Sequence, residues 1–194
     1  VRMWPWVSLL ATVFWVVLGI GLRRRGNAAV FGDLIIGFSL SWLAGSIYWG
    51  WFRWEPLIHL PIEAIGVPLA IAFILRRQHL TGALFYLGSL LGTVVTDLYF
   101  WVVHLMPYWR QAMQADVSQA VPVLRQALLQ MQTPWGLLWV GILVSVLCLC
   151  GLWPFVQRGV LKGSHSTVPW WAFSGAVMST LAVDGLFWLA ARCA

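Results

Sequence analysis

The most informative shortage in this chain is of charge. Only 9% of its 194 residues are Asp, Glu, Lys or Arg, whereas 61% are hydrophobic and the mean hydropathy is +0.82. Soluble domains carry about 25% charged residues, so this composition excludes an aqueous globular protein. The long apolar runs are continuous and do not alternate, which excludes a transmembrane β-barrel and predicts helices whose backbone hydrogen bonds are satisfied internally in lipid.

The chain also lacks the sequence patterns of several functional classes. Its three cysteines form neither a CxxC pair nor a Cys/His ligand set, so we predict no metal site and interpret them as apolar filler. There is no phosphate-binding glycine loop, no Gly-x-Ser-x-Gly nucleophile motif and no arginine string typical of a voltage sensor. The net charge of +6 does not indicate nucleic-acid binding, because the largest basic cluster, residues 23–25, directly follows an apolar run, as membrane flanks do.

The apolar runs predict the fold. Six of them are close to the roughly 20 residues that a helix needs to cross a bilayer. We therefore predict an all-α, polytopic transmembrane helical bundle forming a single domain over residues 1–194, with about six spans and one interfacial amphipathic helix. The predicted spans are 4–22, 30–49, 57–75, 80–106, 135–155 and 169–191.

Two segments have special features. The third predicted span contains Pro61, Glu63 and Pro68, so we expect it to be kinked or re-entrant. Residues 109–131 repeat apolar positions at helical spacing with polar residues between them. They predict the amphipathic helix, bent at Pro122 and lying either on the lipid surface or against a partner.

The basic residues predict the orientation. The connections on one side carry Arg23, Arg24, Arg25, Arg76, Arg77, Arg158 and Lys162. The positive-inside rule places these arginine-rich loops in the cytoplasm, with both termini on the other side. Because a translocated N-terminus without a signal is unusual and the first residue is Val, we expect a further helix upstream of this sequence.

Four of the six acidic residues lie inside or at the edge of predicted spans: Asp33, Glu63, Asp97 and Asp184. A carboxylate at the centre of a membrane helix costs roughly 2.5–3.5 kcal/mol on insertion scales, so such groups usually hold helices together or handle a ligand, proton or ion. Asp33 lies near the arginines at 23–25 and is predicted to be a surface or capping charge. Glu63, two residues after Pro61, is explained by helix capping without any activity.

Asp97 and Asp184 lie in similar segments. Residues 92–101 and 179–188 share the pattern small-Thr-x-x-x-Asp-x-x-Phe-Trp. The two predicted spans run in the same direction, so the pattern indicates either a parallel repeat with both aspartates facing inward or a chance similarity.

A candidate catalytic pair lies at the start of the third predicted span. His59 is one helical turn before Glu63, so the two side chains could share a proton or a hydrogen bond. The Trp/Tyr-rich loop followed by Leu-Pro-Ile-Glu, residues 60–63, resembles the small membrane lycopene cyclases over about the first 75 residues. The resemblance implies an isoprenoid-modifying enzyme in which Glu63 donates a proton beside His59, although Ala64 stands where those enzymes have a second acid.

A broader resemblance covers most of the chain. The segment VRMWPWVSLL, residues 1–10, and the general pattern of the chain are similar to a cyanobacterial family of membrane proteins of unknown function. This resemblance implies a phototroph and hence a thylakoid or plasma membrane. In such a membrane His59 and His104 are candidate axial ligands of chlorophyll, and the fifteen tryptophans could contact pigments as well as anchor the spans at the interface.

These observations leave three functional hypotheses. The first is an accessory or assembly subunit of a photosystem-type complex, contacting other membrane subunits and chlorophyll or carotenoid. The second is the isoprenoid-modifying enzyme, and the third is a transporter-like module that uses the paired aspartates.

Overall fold

The computed structural model describes residues 4–156 and 167–193, and this part of the chain contains no β-strand. Its α-helices are α1 Pro5–Arg23, α2 Ala29–Ile47, α3 His59–Glu63, α4 Val67–Leu75, α5 Leu80–Val102, α6 Met106–Gln114, α7 Val117–Met131, α8 Pro134–Val156 and α9 Val168–Cys193. Short 3-10 turns lie at Gly26–Ala28, Pro56–Ile58 and Ala64–Gly66, and a π-helical turn covers Tyr48–Phe52.

Six helical stretches of the described residues are long and apolar enough to cross a membrane. They are Pro5–Arg23, Gly26–Phe52, Pro56–Leu75, Leu80–Val102, Pro134–Val156 and Val168–Leu189. The predicted all-α bundle of six spans is therefore confirmed. Arg158 and Lys162, assigned from sequence to the arginine-rich side, lie outside the described residues.

The third span is interrupted. Helix α3 ends at Glu63, a 3-10 turn follows at Ala64–Gly66, and α4 begins at Val67 with Pro68 in its first turn. A proline lacks the backbone N–H that a continuous helix would use, but it is well tolerated in a first turn. The prolines therefore divide this span into two short helices.

Two predicted boundaries are wrong. The fourth span ends at Val102 and does not reach Met106, because the chain turns at His104 with a left-handed φ of 59°. The single amphipathic helix over 109–131 is in fact α6 and α7. The break lies at Ala115 and Asp116, which are both extended, whereas Pro122 lies inside α7.

Helix α5 is the centre of the bundle and contacts α2, α3, α4, α8 and α9. Its crossing with α2 is very close: a Cβ atom on Gly37 would lie 2.0 Å from the Gly82 carbonyl oxygen. Small residues allow membrane helices to approach in this way. Helices α5 and α9 are parallel neighbours, since Gly92 lies against Thr180 and the next turns meet through Thr96 and Asp184.

The two segments with the shared Asp-x-x-Phe-Trp pattern are thus packed side by side. The larger apolar core lies between α5, α8 and α9, and includes Val95, Tyr99, Val103, Leu105, Leu143, Leu147 and Val177.

Candidate functional site

The most concentrated polar group inside the spans surrounds His59, the first residue of α3. Its Nδ1 atom lies 3.0 Å from Asp97 Oδ1 on α5, within hydrogen-bond distance. Its Nε2 atom lies 3.8 Å from Glu63 Oε1, one turn along α3, which is close enough for an ion pair but too long for a hydrogen bond. The sequence placed His59 beside Glu63, but the structure makes Asp97 its nearer partner.

Aromatic rings enclose this cluster. The ring of Tyr48, which is 2% exposed, stacks on the His59 imidazole with a centroid distance of 4.1 Å and an interplanar angle of 29°. Beside it, Trp49 and Trp109 pack edge to face at 5.8 Å. One face of the imidazole is therefore covered and each of its nitrogens faces a carboxylate, so His59 can ligate a pigment magnesium only if its ring turns away from Glu63.

The capping explanation of Glu63 is wrong. Glu63 is the last residue of α3, and its side chain makes no capping hydrogen bond. Glu63 is 7% exposed, and its backbone carbonyl accepts a hydrogen bond from the buried Tyr86 hydroxyl. The second oxygen of Asp97, Oδ2, is likewise buried and has no hydrogen-bond partner in the structure. The cluster therefore has more carboxylate oxygens than there are hydrogen-bond donors beside them.

Asp97 and Asp184 do not form a pair. The Thr96 hydroxyl donates a hydrogen bond of 2.8 Å to Asp184 Oδ2, which joins α5 to α9. Asp97, the next residue of α5, points to His59 on α3. The two aspartates therefore hold different helices against α5, and no sequence pattern singled out Thr96.

Asp33 is buried and caps a helix other than its own. Its Oδ2 atom accepts hydrogen bonds from the backbone N–H groups of Thr81 at 2.9 Å and Gly82 at 3.2 Å, in the first turn of α5. Its Oδ1 atom lies 2.7 Å from Nδ1 of His79. A carboxylate at this helix end is stabilised by the helix dipole and by the N–H groups that have no partner within the helix. His79 was not predicted from the sequence, because it lies in a short connection outside the spans.

His104 is the other predicted pigment ligand. It lies in the turn after α5, not within the span, and its side chain is exposed. Among residues 4–156 and 167–193, no group of three or more His, Cys, Asp and Glu side chains has an arrangement that could hold a metal ion.

The amphipathic segment is docked on the chain itself. Arg110 on α6 donates two hydrogen bonds to Glu55, of 3.1 Å from Nε to Oε2 and 2.7 Å from Nη2 to Oε1. This hydrogen bonding holds the pKa of the Glu55 carboxyl below its usual value and raises the pKa of Arg110. Trp109 Nε1 also donates to the Arg53 carbonyl at 2.7 Å. Helix α6 is thus fixed over the connection that leads to His59.

Six apolar spans, and carboxylates that hold neighbouring spans together, define a polytopic integral membrane protein of the helical-bundle class. Within this class, the chain belongs to the family described as Protein of unknown function (DUF3120), which it matches over residues 1–192. The predicted membership of an uncharacterised family is therefore confirmed. No curated protein and no solved structure matches the chain.

Proposed function

We propose that this chain is a non-catalytic accessory or assembly subunit of a photosystem-type complex in the thylakoid or plasma membrane of a phototroph. The observation that carries the proposal is that three of the four intramembrane carboxylates have a partner within the chain. Asp33 contacts His79, Asp97 contacts His59, and Asp184 accepts from Thr96. These contacts join α2, α3 and α9 to α5, which suits a preformed scaffold better than a polar substrate pathway.

The exposed tryptophans support contact with neighbouring subunits or pigments. They lie within three residues of an end of a candidate span, and they are Trp4, Trp6, Trp49, Trp54, Trp101, Trp135, Trp153, Trp170 and Trp171. Large rigid rings at headgroup depth anchor a bundle in the bilayer and also bury much area against flat partners. Chlorophyll or carotenoid in a neighbouring subunit would present such a flat apolar partner.

For direct pigment ligation, His104 is the better of the two predicted histidines. Its imidazole is exposed beyond the end of α5, whereas both nitrogens of His59 face carboxylates. The positive-inside rule places the arginine-rich end in the cytoplasm, and hence His104 on the opposite side.

The test is isolation from the native membrane in mild detergent, followed by an absorption spectrum and an inventory of co-migrating proteins. The proposal expects co-migration with a large pigment–protein complex. A colourless protein that migrates alone would contradict it. Replacement of His104 by Phe should lower the chlorophyll content per chain if this residue is a ligand, whereas the same change at the exposed Gln111 should leave the chlorophyll content unchanged.

The second candidate is the isoprenoid-modifying enzyme, and the cluster around His59 favours it. Glu63 is a buried carboxyl group beside an imidazole, and protonation of a double bond needs an acid held in an apolar surround. Expression in a lycopene-producing host tests it. Conversion should occur with the unmodified chain, be abolished by Glu63→Gln and survive Glu55→Gln, which changes an acid outside the cluster. Unchanged lycopene with the unmodified chain would eliminate this candidate.

A further inference from the structure

Five exposed arginines meet at one end of the bundle. They are Arg23, Arg24 and Arg25, where α1 leads into α2, and Arg76 and Arg77, where α4 leads into α5. The two connections are adjacent, because Arg23 Nη1 lies 2.6 Å from His79 Nε2. We call these five residues the arginine patch.

The chain supplies almost no counter-charge for the arginine patch. All six acidic side chains of the sequence lie among the described residues. Five of them lie away from the arginine patch. They are Glu55 beside Arg110, Glu63 and Asp97 beside His59, Asp184 beside Thr96, and Asp116 at the start of α7. Asp33 alone lies at this end, so five arginines against one aspartate leave four uncompensated positive charges.

Asp33 does not neutralise the patch by direct contact. Its Oδ1 atom lies 2.7 Å from His79 Nδ1 but is not aligned with it for a hydrogen bond, and its Oδ2 atom accepts from the first backbone N–H groups of α5. A guanidinium can only donate hydrogen bonds, so the contact with Arg23 makes His79 Nε2 an acceptor and places the imidazole proton on Nδ1, facing Asp33. Buried Asp33 is thus occupied beside His79, which accepts one hydrogen bond from Arg23, and the remaining N–H groups of Arg23 are left for another acceptor.

The turn that carries Arg76 and Arg77 is conformationally unusual. Arg77 and His79 have φ values of 51° and 50°, in the left-handed region that residues with a Cβ atom seldom adopt. Strained backbone of this kind persists where surrounding contacts hold it, and it is concentrated at functional sites. Here the contacts of Asp33 with His79 and with Thr81 hold the turn.

The surface below the arginine patch is apolar and open. Leu75, immediately before Arg76, is 78% exposed, and Ile20, one turn before Arg23, is 44% exposed. Both lie at the ends of candidate membrane spans, so the patch is at headgroup depth and these side chains are at the depth of the acyl chains. A ligand that matches both parts has an anionic head and an apolar tail.

We propose that the arginine patch binds the phosphate headgroup of an anionic membrane lipid, whose acyl chains lie against Ile20 and Leu75. Guanidinium groups suit phosphate oxygens because they donate two parallel hydrogen bonds. The site is independent of the proposed function, because it depends only on the charge balance and geometry of this end of the bundle.

Native mass spectrometry of the purified full chain, in detergent containing equal amounts of phosphatidylglycerol and phosphatidylcholine, tests the proposal. The unmodified chain should retain phosphatidylglycerol preferentially. The double variant Arg76→Gln/Arg77→Gln should lose about 30-fold in this affinity, given the usual contribution of each basic residue near an anionic surface. Arg24→Gln/Arg25→Gln should lose a similar factor from the other connection.

The matched control is Arg53→Gln/Arg125→Gln, which removes the same two charges from the opposite end and should retain the lipid. Equal retention of the two lipids by the unmodified chain would overturn the proposal, as would equal losses in the control and in both patch variants. Displacement of phosphatidylglycerol by an equal concentration of inorganic phosphate would show a free-anion site and contradict the assignment to lipid. None of these outcomes bears on the proposed role in a photosystem-type complex, because that role is tested by co-migration.

Discussion

Replacing Gly37 by Ala should strongly destabilise the bundle, because the new Cβ atom would meet backbone, which cannot rotate aside. It would lie 2.0 Å from the Gly82 carbonyl oxygen, whereas ordinary contacts begin at 3.4 Å. Helices α2 and α5 would therefore have to separate by about 1.4 Å at this crossing. The separation would also stretch the 2.9 Å hydrogen bond from Thr81 N–H to Asp33, one turn from Gly37 on α2, beyond hydrogen-bond length.

The expected loss of stability follows from the overpacked crossing and from the stretched hydrogen bond. Overpacking a tight site costs about 1–3 kcal/mol, and losing a hydrogen bond to a charged group costs about 1.5–3 kcal/mol. We therefore expect Gly37→Ala to lower the free energy of unfolding by roughly 3–5 kcal/mol. The measurement is denaturation in mixed micelles followed by circular dichroism.

Gly141 on α8 provides the matched control. A Cβ atom there has no neighbour within 4 Å, so Gly141→Ala should be neutral or stabilise by up to about 1 kcal/mol through the higher helix propensity of alanine. If Gly37→Ala and Gly141→Ala unfold at the same denaturant concentration, the close crossing of α2 and α5 is not a source of stability and the reasoning fails.

Two further predictions concern the polar contacts. Thr96→Val leaves the Asp184 carboxylate without its hydroxyl donor and should lower the free energy of unfolding by about 1–3 kcal/mol. The double variant Thr96→Val/Asp184→Leu removes both partners, so its stability should be closer to that of the unmodified chain. A double variant less stable than Thr96→Val would refute this. The pKa of Glu55 is lowered by Arg110, so this contact stabilises the docked α6 above about pH 4.5 and is lost as the pH falls through the folded-state pKa. The distance between spin labels on the 53–55 connection and on α6 should therefore increase on acidification. Glu55→Gln should show the larger distance at every pH. An unchanged distance in the unmodified chain would show that the contact between Glu55 and Arg110 does not hold α6 in place.

The features that depend only on a short stretch of sequence were predictable. The six spans follow from uninterrupted hydropathy, and the interrupted third span has prolines at positions 61 and 68. The break between α6 and α7 was misplaced at Pro122, because proline is a strong local signal and the extended backbone at Asp116 is a weaker one. The assignment of Glu63 as a cap failed for a similar reason: the helix start was placed at Pro61, whereas α3 begins at His59.

The pairing of the acids was not predictable. His59 and Asp97 are separated by 38 positions, and Asp33 caps a helix that starts 47 positions later, so no local pattern connects them. The similarity of the segments around Asp97 and Asp184 did point to neighbouring parallel helices. It could not show that adjacent residues of α5, Thr96 and Asp97, face different partners, because that depends on how α5 is rotated within the bundle.

The sequence by itself determined that this is a membrane protein, where its spans lie and that arginines flank one side of them, because insertion into lipid depends on hydropathy and charge summed over a short segment. Only the tertiary structure decided that histidines, and not arginines, are the partners of Asp33 and Asp97, and that the arginine patch has almost no counter-charge. Contacts of this kind depend on helix rotation and close glycine crossings, which bring distant residues within 3 Å of one another and which no local pattern records.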